Sequence, residues 1–243
     1  MRVITRIIQV IVALSAFAGV VAFIAERFER PNYHKPYGVY EKYIKCPLDA
    51  FLATGALIVF SPVLLITALL VRIKLGKPVI FKQERPGKDE KAFQLLKFRS
   101  MTEERDESGN LLPDEARITK FSMALRATSI DELISLVNVV KGDLSIVGPR
   151  PLLMKYLPRY NEQQHRRHEV RPGLTGLAQV NGRNLLSWEE KFRFDVEYVD
   201  HVTFWEDLKI ILKTVAEVFK QEGISSETSA TMEEFMGSET VVR

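Results

Sequence analysis

Two long apolar stretches occupy the first third of the chain. Residues 7–25 form an uncharged run of 19, which as a helix is long enough to span about 30 Å of hydrocarbon. Two arginines before residue 7 and the small-residue motif Ala16-Phe17-Ala18 are also typical of a cleaved signal peptide. Because the apolar run continues well past that motif, the sequence favours a retained transmembrane helix.

The second stretch, residues 51–71, contains 21 uncharged residues and is interrupted by Ser61-Pro62. Pro62 removes a backbone donor and clashes with the preceding turn, so the helix must kink or break there. Five Lys and Arg side chains lie between the two stretches, and three follow the second one before residue 78. The positive-inside tendency keeps both basic flanks in the cytoplasm. This favours a re-entrant helix, broken at Ser61-Pro62, over a kinked spanning helix.

After residue 75 the pattern changes to short elements and predicts a small, α-rich α/β domain. Segments 78–81 and 92–98 indicate two strands with a turn at Arg85-Pro86-Gly87 between them. Helical spacing of apolar positions predicts helices over about 131–141, 187–198 and 204–221. Glycine-rich segments at 148–151 and 171–176 indicate rigid loops.

These patterns divide the chain into four parts. Residues 1–38 form an N-terminal transmembrane extension, and 39–75 a re-entrant membrane segment. Residues 76–223 form the catalytic domain. Residues 224–243 are rich in Ser, Thr and Glu, which is typical of an extended or mobile polar tail.

Composition narrows the classes of function. The net charge of +3 is too small to indicate nucleic acid as the main partner, and the single cysteine, Cys46, excludes a disulfide framework. The near-neutral total conceals a basic patch of eight Lys and Arg over residues 74–99, followed by an acidic loop over 101–115. His165 and His168 lie three residues apart. No Cys lies near them and the sequence shows no cluster of further ligands, so they fit a surface pair better than a zinc site.

The adjacent carboxylates Asp131 and Glu132 are the strongest candidates for chemistry. Ser129 and Glu132 also form the S-x-x-E pattern of a helix capping box, which explains both acids without any catalysis. Yet a helix start would keep Asp131 ionised as a nucleophile. Carboxylate oxygens from Glu132 and Asp131 would suit Mg²⁺.

Three arginines in or near stiff turns supply complementary positive charge. Arg150 lies between two prolines, Arg171 precedes Pro172-Gly173, and Arg126 lies five residues before Asp131. Guanidinium groups bind phosphate oxygens in pairs, and rigid placement lowers the entropy lost on binding. A surface salt bridge would explain any one of these three arginines alone. Together, on a membrane-attached domain, they indicate a diphosphate substrate and a lipid phosphate.

From about residue 40 to residue 237 the chain resembles the bacterial sugar transferases, the phosphoglycosyl transferases with a single re-entrant helix. The motifs that carry the resemblance occur in the same order as in that family: Lys45 to Asp49, Ser61-Pro62, Phe81 to Gly87, Lys97 to Met101, Thr128 to Leu133, Asn138 to Asp143, Gly148 to Leu152, and Arg171 to Asn184. Further motifs are similar to those of the small members that start bacterial N-linked glycosylation from UDP-N,N′-diacetylbacillosamine: Arg85 to Lys91, Pro151 to Pro158, and Gly223 to Phe235.

The resemblance implies a reaction and assigns roles to residues. A sugar 1-phosphate passes from a UDP-sugar to polyprenyl (undecaprenyl) phosphate, with release of UMP. Asp131 is implied as the nucleophile of a phospho-aspartyl intermediate, and Glu132, with Asp131, as a Mg²⁺ ligand. The residues implied in holding substrate or phosphate are Arg126, Arg150, Lys97, Arg99, Arg171 and Asp195. Cys46 stands where the family usually has arginine, so one basic contact near the helix break is replaced.

The sequence therefore predicts a Mg²⁺-dependent enzyme of the bacterial inner membrane, with its catalytic domain on the cytoplasmic face. Its predicted partners are a UDP-sugar, polyprenyl phosphate and the membrane, and also downstream glycosyltransferases, but no nucleic acid. The predicted donor is UDP-N,N′-diacetylbacillosamine or a related N-acetylated amino sugar. The alternatives are the same chemistry with another UDP-hexose or UDP-N-acetylhexosamine, and a non-catalytic membrane adaptor. A binder of anionic lipid or nucleic acid acting through the basic patch is a third alternative.

Overall fold

A computed structural model describes residues 36–182, 185–220 and 234–237. The predicted N-terminal transmembrane helix lies outside these residues. Within them the chain has the predicted helix-rich α/β fold with two small sheets. The helices of the described part are a π-helical turn Tyr40–Ile44, α1 Lys45–Val59, α2 Ser61–Lys74, α3 Asp114–Arg117, α4 Lys120–Ala127, α5 Leu136–Lys141, α6 Glu162–His165, α7 Leu177–Val180, α8 Trp188–Asp200 and α9 Phe204–Lys220. Short 3₁₀ segments cover Lys88–Glu90, Ile130–Ser135, Met154–Arg159 and Arg166–His168.

The predicted break at Ser61-Pro62 is confirmed. The helical run Tyr40–Val59 meets α2 at an angle of 65°, and the Ser61 hydroxyl donates to the Ile58 carbonyl over 2.8 Å. Pro62 lies in the first turn of α2, where a missing N–H leaves no hydrogen bond unmade. No helix of the described part is by itself long and apolar enough to cross a bilayer. This bent pair satisfies both criteria when its two arms are taken together.

The predicted strand pair is an antiparallel hairpin of β1 Ile80–Pro86 and β2 Ala92–Phe98. β1 starts later than predicted and runs on through the polar residues up to Pro86, because each of them pairs with a residue of β2. The Asn138 side chain of α5 joins this sheet. Its amide donates to the Gln94 carbonyl over 2.9 Å, and its oxygen accepts from the Leu96 N–H over 3.0 Å. The hairpin and α5 are thereby held as one unit.

A parallel strand pair that the sequence pattern did not predict lies at the two glycine-rich segments, directly before the first and inside the second. β3 Ser145–Val147 runs beside β4 Gly173–Thr175. A Cβ atom on Gly173 would lie 2.1 Å from the backbone nitrogen of Gly148, so only glycine permits this approach. The contact fixes the loop that follows β3, which carries Arg150.

The soluble domain is packed directly onto the bent helix pair. Ala53 of α1 is fully buried against Leu95 of β2 and Val139 of α5. Below that contact, the Lys45 ammonium lies 2.5 Å from the Asp207 carboxylate of α9, which also accepts from the Tyr198 hydroxyl over 2.7 Å. Buried polar groups therefore join the base of α1 to the last two helices.

Two sequence expectations differ from the structure. Phe235, in the segment predicted as a mobile tail, is 1% exposed and packs against Tyr156, Tyr160 and Phe192. Its aromatic ring gives this otherwise polar segment an apolar anchor. The predicted surface pair of histidines is also wrong for His168, which is 5% exposed.

Candidate functional site

An open pocket of about 380 Å³ lies between the hairpin, the loop after β3 and the start of α8. Its floor is charged, with Lys97 and Arg85 from the hairpin, Arg150 from the loop and Glu132 from the 3₁₀ segment. One wall is aromatic and is formed by Tyr156 and Trp188. Three cations against one acid give the lining a net positive charge, which is complementary to a diphosphate.

Glu132 is the centre of the charged floor. Its Oε1 atom accepts from Lys97 Nζ over 2.7 Å and from an Arg150 guanidinium nitrogen over 2.6 Å. Its Oε2 atom has one long contact, 3.4 Å, to Arg150. Burial acts to raise the pKa of Glu132, but the charges of Arg150 and Lys97 outweigh it and hold that pKa well below its usual range. Glu132 is therefore ionised at every physiological pH.

Asp131 is 8% exposed beside Glu132. Burial and the charge of Glu132 raise its pKa from 3.8 to about 6, against the opposing charges of Lys97 and Arg126. The pKa is thus higher than a helix start alone would give, although the carboxylate still stays mostly ionised at neutral pH, as the sequence predicted. A carboxylate with a raised pKa is a stronger nucleophile, and at neutral pH most of it remains deprotonated.

The local backbone around the two acids differs from the predicted helix start. The predicted helix over 131–141 is divided into the 3₁₀ segment Ile130–Ser135 and α5. Ser129 has a left-handed backbone, with φ of 54°, and its side chain makes no capping bond. The capping-box explanation of Glu132 is therefore wrong, since the Glu132 carboxylate is bound by Lys97 and Arg150 instead.

Arg126 and Arg85 add positive charge near the two acids, Arg126 beside Asp131 and Arg85 beside Glu132. Arg126, near the end of α4, donates to the Ser100 hydroxyl over 3.0 Å and lies close enough to oppose the pKa rise of Asp131. Arg85 donates to Gln83 over 2.6 Å, and its buried Nε atom has no hydrogen-bond partner within the described residues. Burial and the neighbouring charge of Arg150 lower the pKa of Arg85 to about 10.

Sequence reasoning did not select Arg85, Tyr156 or Trp188 as site residues. Arg85 was counted only as one member of the basic patch, although its place at the end of β1, beside Pro86-Gly87, was a usable signal. The two aromatic residues come from segments more than 30 positions apart. Only the tertiary fold brings them to one wall.

Three predicted site residues have other partners in the structure. Arg99 is buried and donates to the carbonyls of Lys77 and Leu75. Arg171 contacts the sulfur of Cys46 at the base of α1. Asp195 is 4% exposed and pairs with Arg167 over 2.8 Å.

Asp195 is nevertheless connected to the pocket through Arg167. The same Arg167 guanidinium donates to the backbone carbonyl of Arg150 over 2.7 Å. Asp195 is therefore linked to Arg150 through Arg167. Its prediction as a direct substrate contact stays a prediction.

The chain has clear relatives. Residues 40–221 match the model of the family described as bacterial sugar transferase. An uncharacterized sugar transferase of Bacillus subtilis, EpsL, is 59% identical over 178 residues, which cover 73% of this chain and 88% of that protein. The UDP-glucose:undecaprenyl-phosphate glucose-1-phosphate transferase of Escherichia coli is 38% identical over 199 residues, which cover 78% of this chain and 43% of that protein.

A galactosyl transferase of Streptococcus agalactiae, CpsE, is 40% identical over 164 residues, covering 62% of this chain and 36% of that protein. This chain thus spans less than half the length of the E. coli and streptococcal relatives, but most of the Bacillus one. The family match covers well over half of the chain and includes the whole charged pocket. The chain belongs to the bacterial sugar transferase family.

Proposed function

We propose that this chain transfers a sugar 1-phosphate from a UDP-sugar to polyprenyl phosphate and releases UMP. The observation that carries the proposal is the placement of Glu132, Lys97 and Arg150 in the lining of one pocket, with Asp131 directly beside Glu132 and within reach of the Lys97 charge. The name of the E. coli relative, a UDP-glucose:undecaprenyl-phosphate glucose-1-phosphate transferase, supports the same reaction class.

The proposed chemistry has two steps. An oxygen of the Asp131 carboxylate attacks the β-phosphorus of the UDP-sugar, and the bond from that phosphorus to the bridging oxygen breaks, so that UMP leaves with the bridging oxygen. A phosphate oxygen of the polyprenyl phosphate then attacks the same phosphorus and displaces Asp131. The product is a polyprenyl diphosphate sugar, and the carboxylate is regenerated.

Charge stabilisation is the main task of the surrounding residues. Phosphoryl transfer depends largely on positioning and on neutralising charge spread over the phosphate oxygens. Lys97, Arg150 and Arg85 supply three cations at the pocket. Two of them are fixed by Glu132, so their placement does not have to be created when substrate binds.

The two acids also fit the predicted Mg²⁺. Carboxylate oxygens are the ligands that this ion prefers, and Glu132 Oε2 has only its long contact to Arg150. The raised pKa of Asp131 reflects repulsion from Glu132 as well as burial, and a bound cation would relieve that repulsion. Bound there, Mg²⁺ would supply further neutralisation of the diphosphate charge.

The bent helix pair supports a place in the membrane. Side chains on both arms are apolar and exposed, among them Val59 at 71%, Leu65 at 72% and Ile73 at 66%. Trp205 and Leu212 of α9 are also exposed, while Ile210 on its other side is buried. We propose that the pair enters the bilayer and returns, with α9 at the interface and the pocket on the cytoplasmic side of the bacterial inner membrane.

The donor sugar has two candidate classes. The motifs shared with the bacillosamine-type enzymes predict UDP-N,N′-diacetylbacillosamine or a related N-acetylated amino sugar. The E. coli relative is named for glucose and the streptococcal one for galactose. A UDP-hexose is therefore the alternative donor.

Release of UMP tests the proposal. Detergent-solubilised full chain receives polyprenyl phosphate, Mg²⁺ and, one at a time, UDP-N,N′-diacetylbacillosamine, UDP-N-acetylglucosamine, UDP-glucose and UDP-galactose. We expect release with one donor class, dependent on the lipid acceptor and lost when Mg²⁺ is chelated. Folded protein that binds vesicles but releases no UMP with any donor would contradict the proposal and favour a membrane adaptor.

Replacing Arg85 with methionine should weaken donor binding. The substitution keeps the volume and removes a partly buried cation for which the described residues show no ion pair, so we expect the KM for the UDP-sugar to rise about tenfold. Steady-state kinetics of UMP release measure it. Arg193→Met, on an exposed position of α8, is the matched control and should leave KM unchanged. An unchanged KM in Arg85→Met would remove Arg85 from the donor site.

A further inference from the structure

Three side chains with metal-binding groups meet away from the charged pocket. Glu90 ends the 3₁₀ segment that follows β1, His165 ends α6, and His168 ends the next 3₁₀ segment. The Glu90 Oε1 atom lies 2.5 Å from His165 Nδ1 and 3.7 Å from His168 Nδ1. One ligand atom from each residue lies within 4.8 Å of the other two. The turn after β1 is thus brought against a segment 75 residues further along the chain.

His168 is the unusual member of this cluster. It is 5% exposed, and neither of its ring nitrogens has a hydrogen-bond partner among the described residues. Its ring packs against Tyr160, with 5.5 Å between ring centroids. A buried polar group without a partner is costly and calls for an explanation. The Glu90 carboxylate lies nearby, just beyond hydrogen-bond distance.

The charges around His168 suit a bound cation. An imidazole binds a metal ion through a neutral ring nitrogen, and both ring nitrogens of His168 are buried. The guanidinium of Arg167 is already paired with Asp195 over 2.8 Å. Glu90 supplies a negative charge directly to the cluster.

We propose that Glu90, His165 and His168 bind one divalent transition-metal ion of the Zn²⁺ type. Two imidazole nitrogens and one carboxylate oxygen are a typical zinc ligand set, whereas Mg²⁺ prefers oxygen ligands alone. Bond lengths of about 2.0–2.1 Å place the ligand atoms of a tetrahedral zinc site roughly 3.3 Å apart. The observed separations of 2.5 and 3.7 Å lie on either side of that value. Small side-chain movements would therefore complete the site.

The ion would act as a clip between two parts of the catalytic domain. The turn that holds Glu90 follows the strand that ends near Arg85. On the other side, Arg167 next to His168 donates to the Arg150 carbonyl. An ion at this cluster would stabilise both supports of the pocket without touching substrate. Zinc binding at this cluster follows from these contacts alone and does not require the proposed transfer reaction.

Measurements of zinc binding to the full chain test the proposed site. Metal-free detergent-solubilised protein is dialysed against Zn²⁺, bound zinc is counted by elemental analysis, and thermal unfolding is recorded with and without the ion. We expect one Zn²⁺ per chain and a higher unfolding temperature. The visible absorption of Co²⁺ in place of Zn²⁺ should indicate nitrogen and oxygen ligands in tetrahedral geometry.

Variants separate this site from adventitious binding. Glu90→Gln and His165→Ala change half-exposed residues and should fold. Each should bind Zn²⁺ at least about tenfold more weakly and lose the rise in unfolding temperature. His201→Ala is the matched control, because His201 is exposed and lies outside the cluster, and it should bind as the parent does. Absence of stoichiometric Zn²⁺ in the parent, or equal affinity in Glu90→Gln and His165→Ala, would overturn the proposal.

Discussion

Replacing Asp131 with asparagine should reduce UMP release by at least about three orders of magnitude, because an amide cannot form the covalent intermediate. The side chain keeps its shape and its place beside Glu132. Binding of the UDP-sugar should therefore persist while turnover is lost, and this combination is measured by calorimetric titration together with the UMP assay. Turnover by Asp131→Asn near the parent rate would exclude Asp131 as the nucleophile.

The same variant should be more stable than the parent at neutral pH. Burial and Glu132 raise the pKa of Asp131 to about 6 from 3.8, so ionising it costs more free energy in the folded state than in the unfolded state. This penalty is absent below about pH 4 and is complete above about pH 6, where it reaches roughly 1–3 kcal/mol. Asparagine removes it. Urea unfolding at pH 7.5 should show the gain, and unfolding at pH 4 should show little difference.

Asp106→Asn is the matched control for both measurements. Asp106 lies in the exposed acidic loop, so the same chemical change there should leave turnover unchanged and should not reproduce the gain in stability at pH 7.5. A gain of equal size in Asp106→Asn would show that lowering the total negative charge, rather than the burial of Asp131, causes the effect.

Replacing Asp195 with asparagine should cause the largest loss of stability among the substitutions considered, about 3–5 kcal/mol. Arg167 and Asp195 form two hydrogen bonds, of 3.0 and 2.8 Å, with both side chains at most 5% exposed. The substitution leaves a buried guanidinium without its counter-charge. Chemical denaturation of the solubilised protein measures the loss.

The surface ion pair between Arg166 and Asp200 provides the comparison. Its side chains are 31% and 41% exposed, so Asp200→Asn should cost no more than about 1 kcal/mol. A similar small cost in Asp195→Asn would show that the buried pair contributes little. If Asp195 acts by positioning Arg150, the residual activity of Asp195→Asn should fall mainly in kcat, measured at a temperature where the variant is folded.

The elements that the sequence predicted are those with a strong periodic pattern. The second strand of the hairpin, α8 and α9 are close to their predicted ranges, and the break at Ser61-Pro62 follows from the chemistry of proline. The β3–β4 pair was missed because each strand has only three residues, too few for an alternating pattern to be detected. Its existence depends on contact between residues 28 positions apart.

The site residues also divide into those with a local sequence pattern, which were predicted, and those brought together only by the fold, which were not. Asp131 and Glu132 were selected because adjacent acids at a predicted helix start suit a carboxylate nucleophile and Mg²⁺, and Arg150 because two prolines surround it. The left-handed backbone of Ser129 could not be predicted, since nothing in its sequence demands it, and it is the reason that the capping box does not form. The cluster at His168 was assigned to the surface because its acid, Glu90, lies 75 residues away in the chain.

The most direct test of the proposed mechanism is the intact mass of the protein after incubation with its UDP-sugar in the absence of polyprenyl phosphate. The account predicts that the parent chain gains the mass of one sugar phosphate, releases one UMP per chain and loses the added mass when polyprenyl phosphate is supplied. Asp131→Asn should gain nothing. Protein that turns over with acceptor but never acquires the adduct, or an adduct that persists in Asp131→Asn, would contradict a covalent step at Asp131.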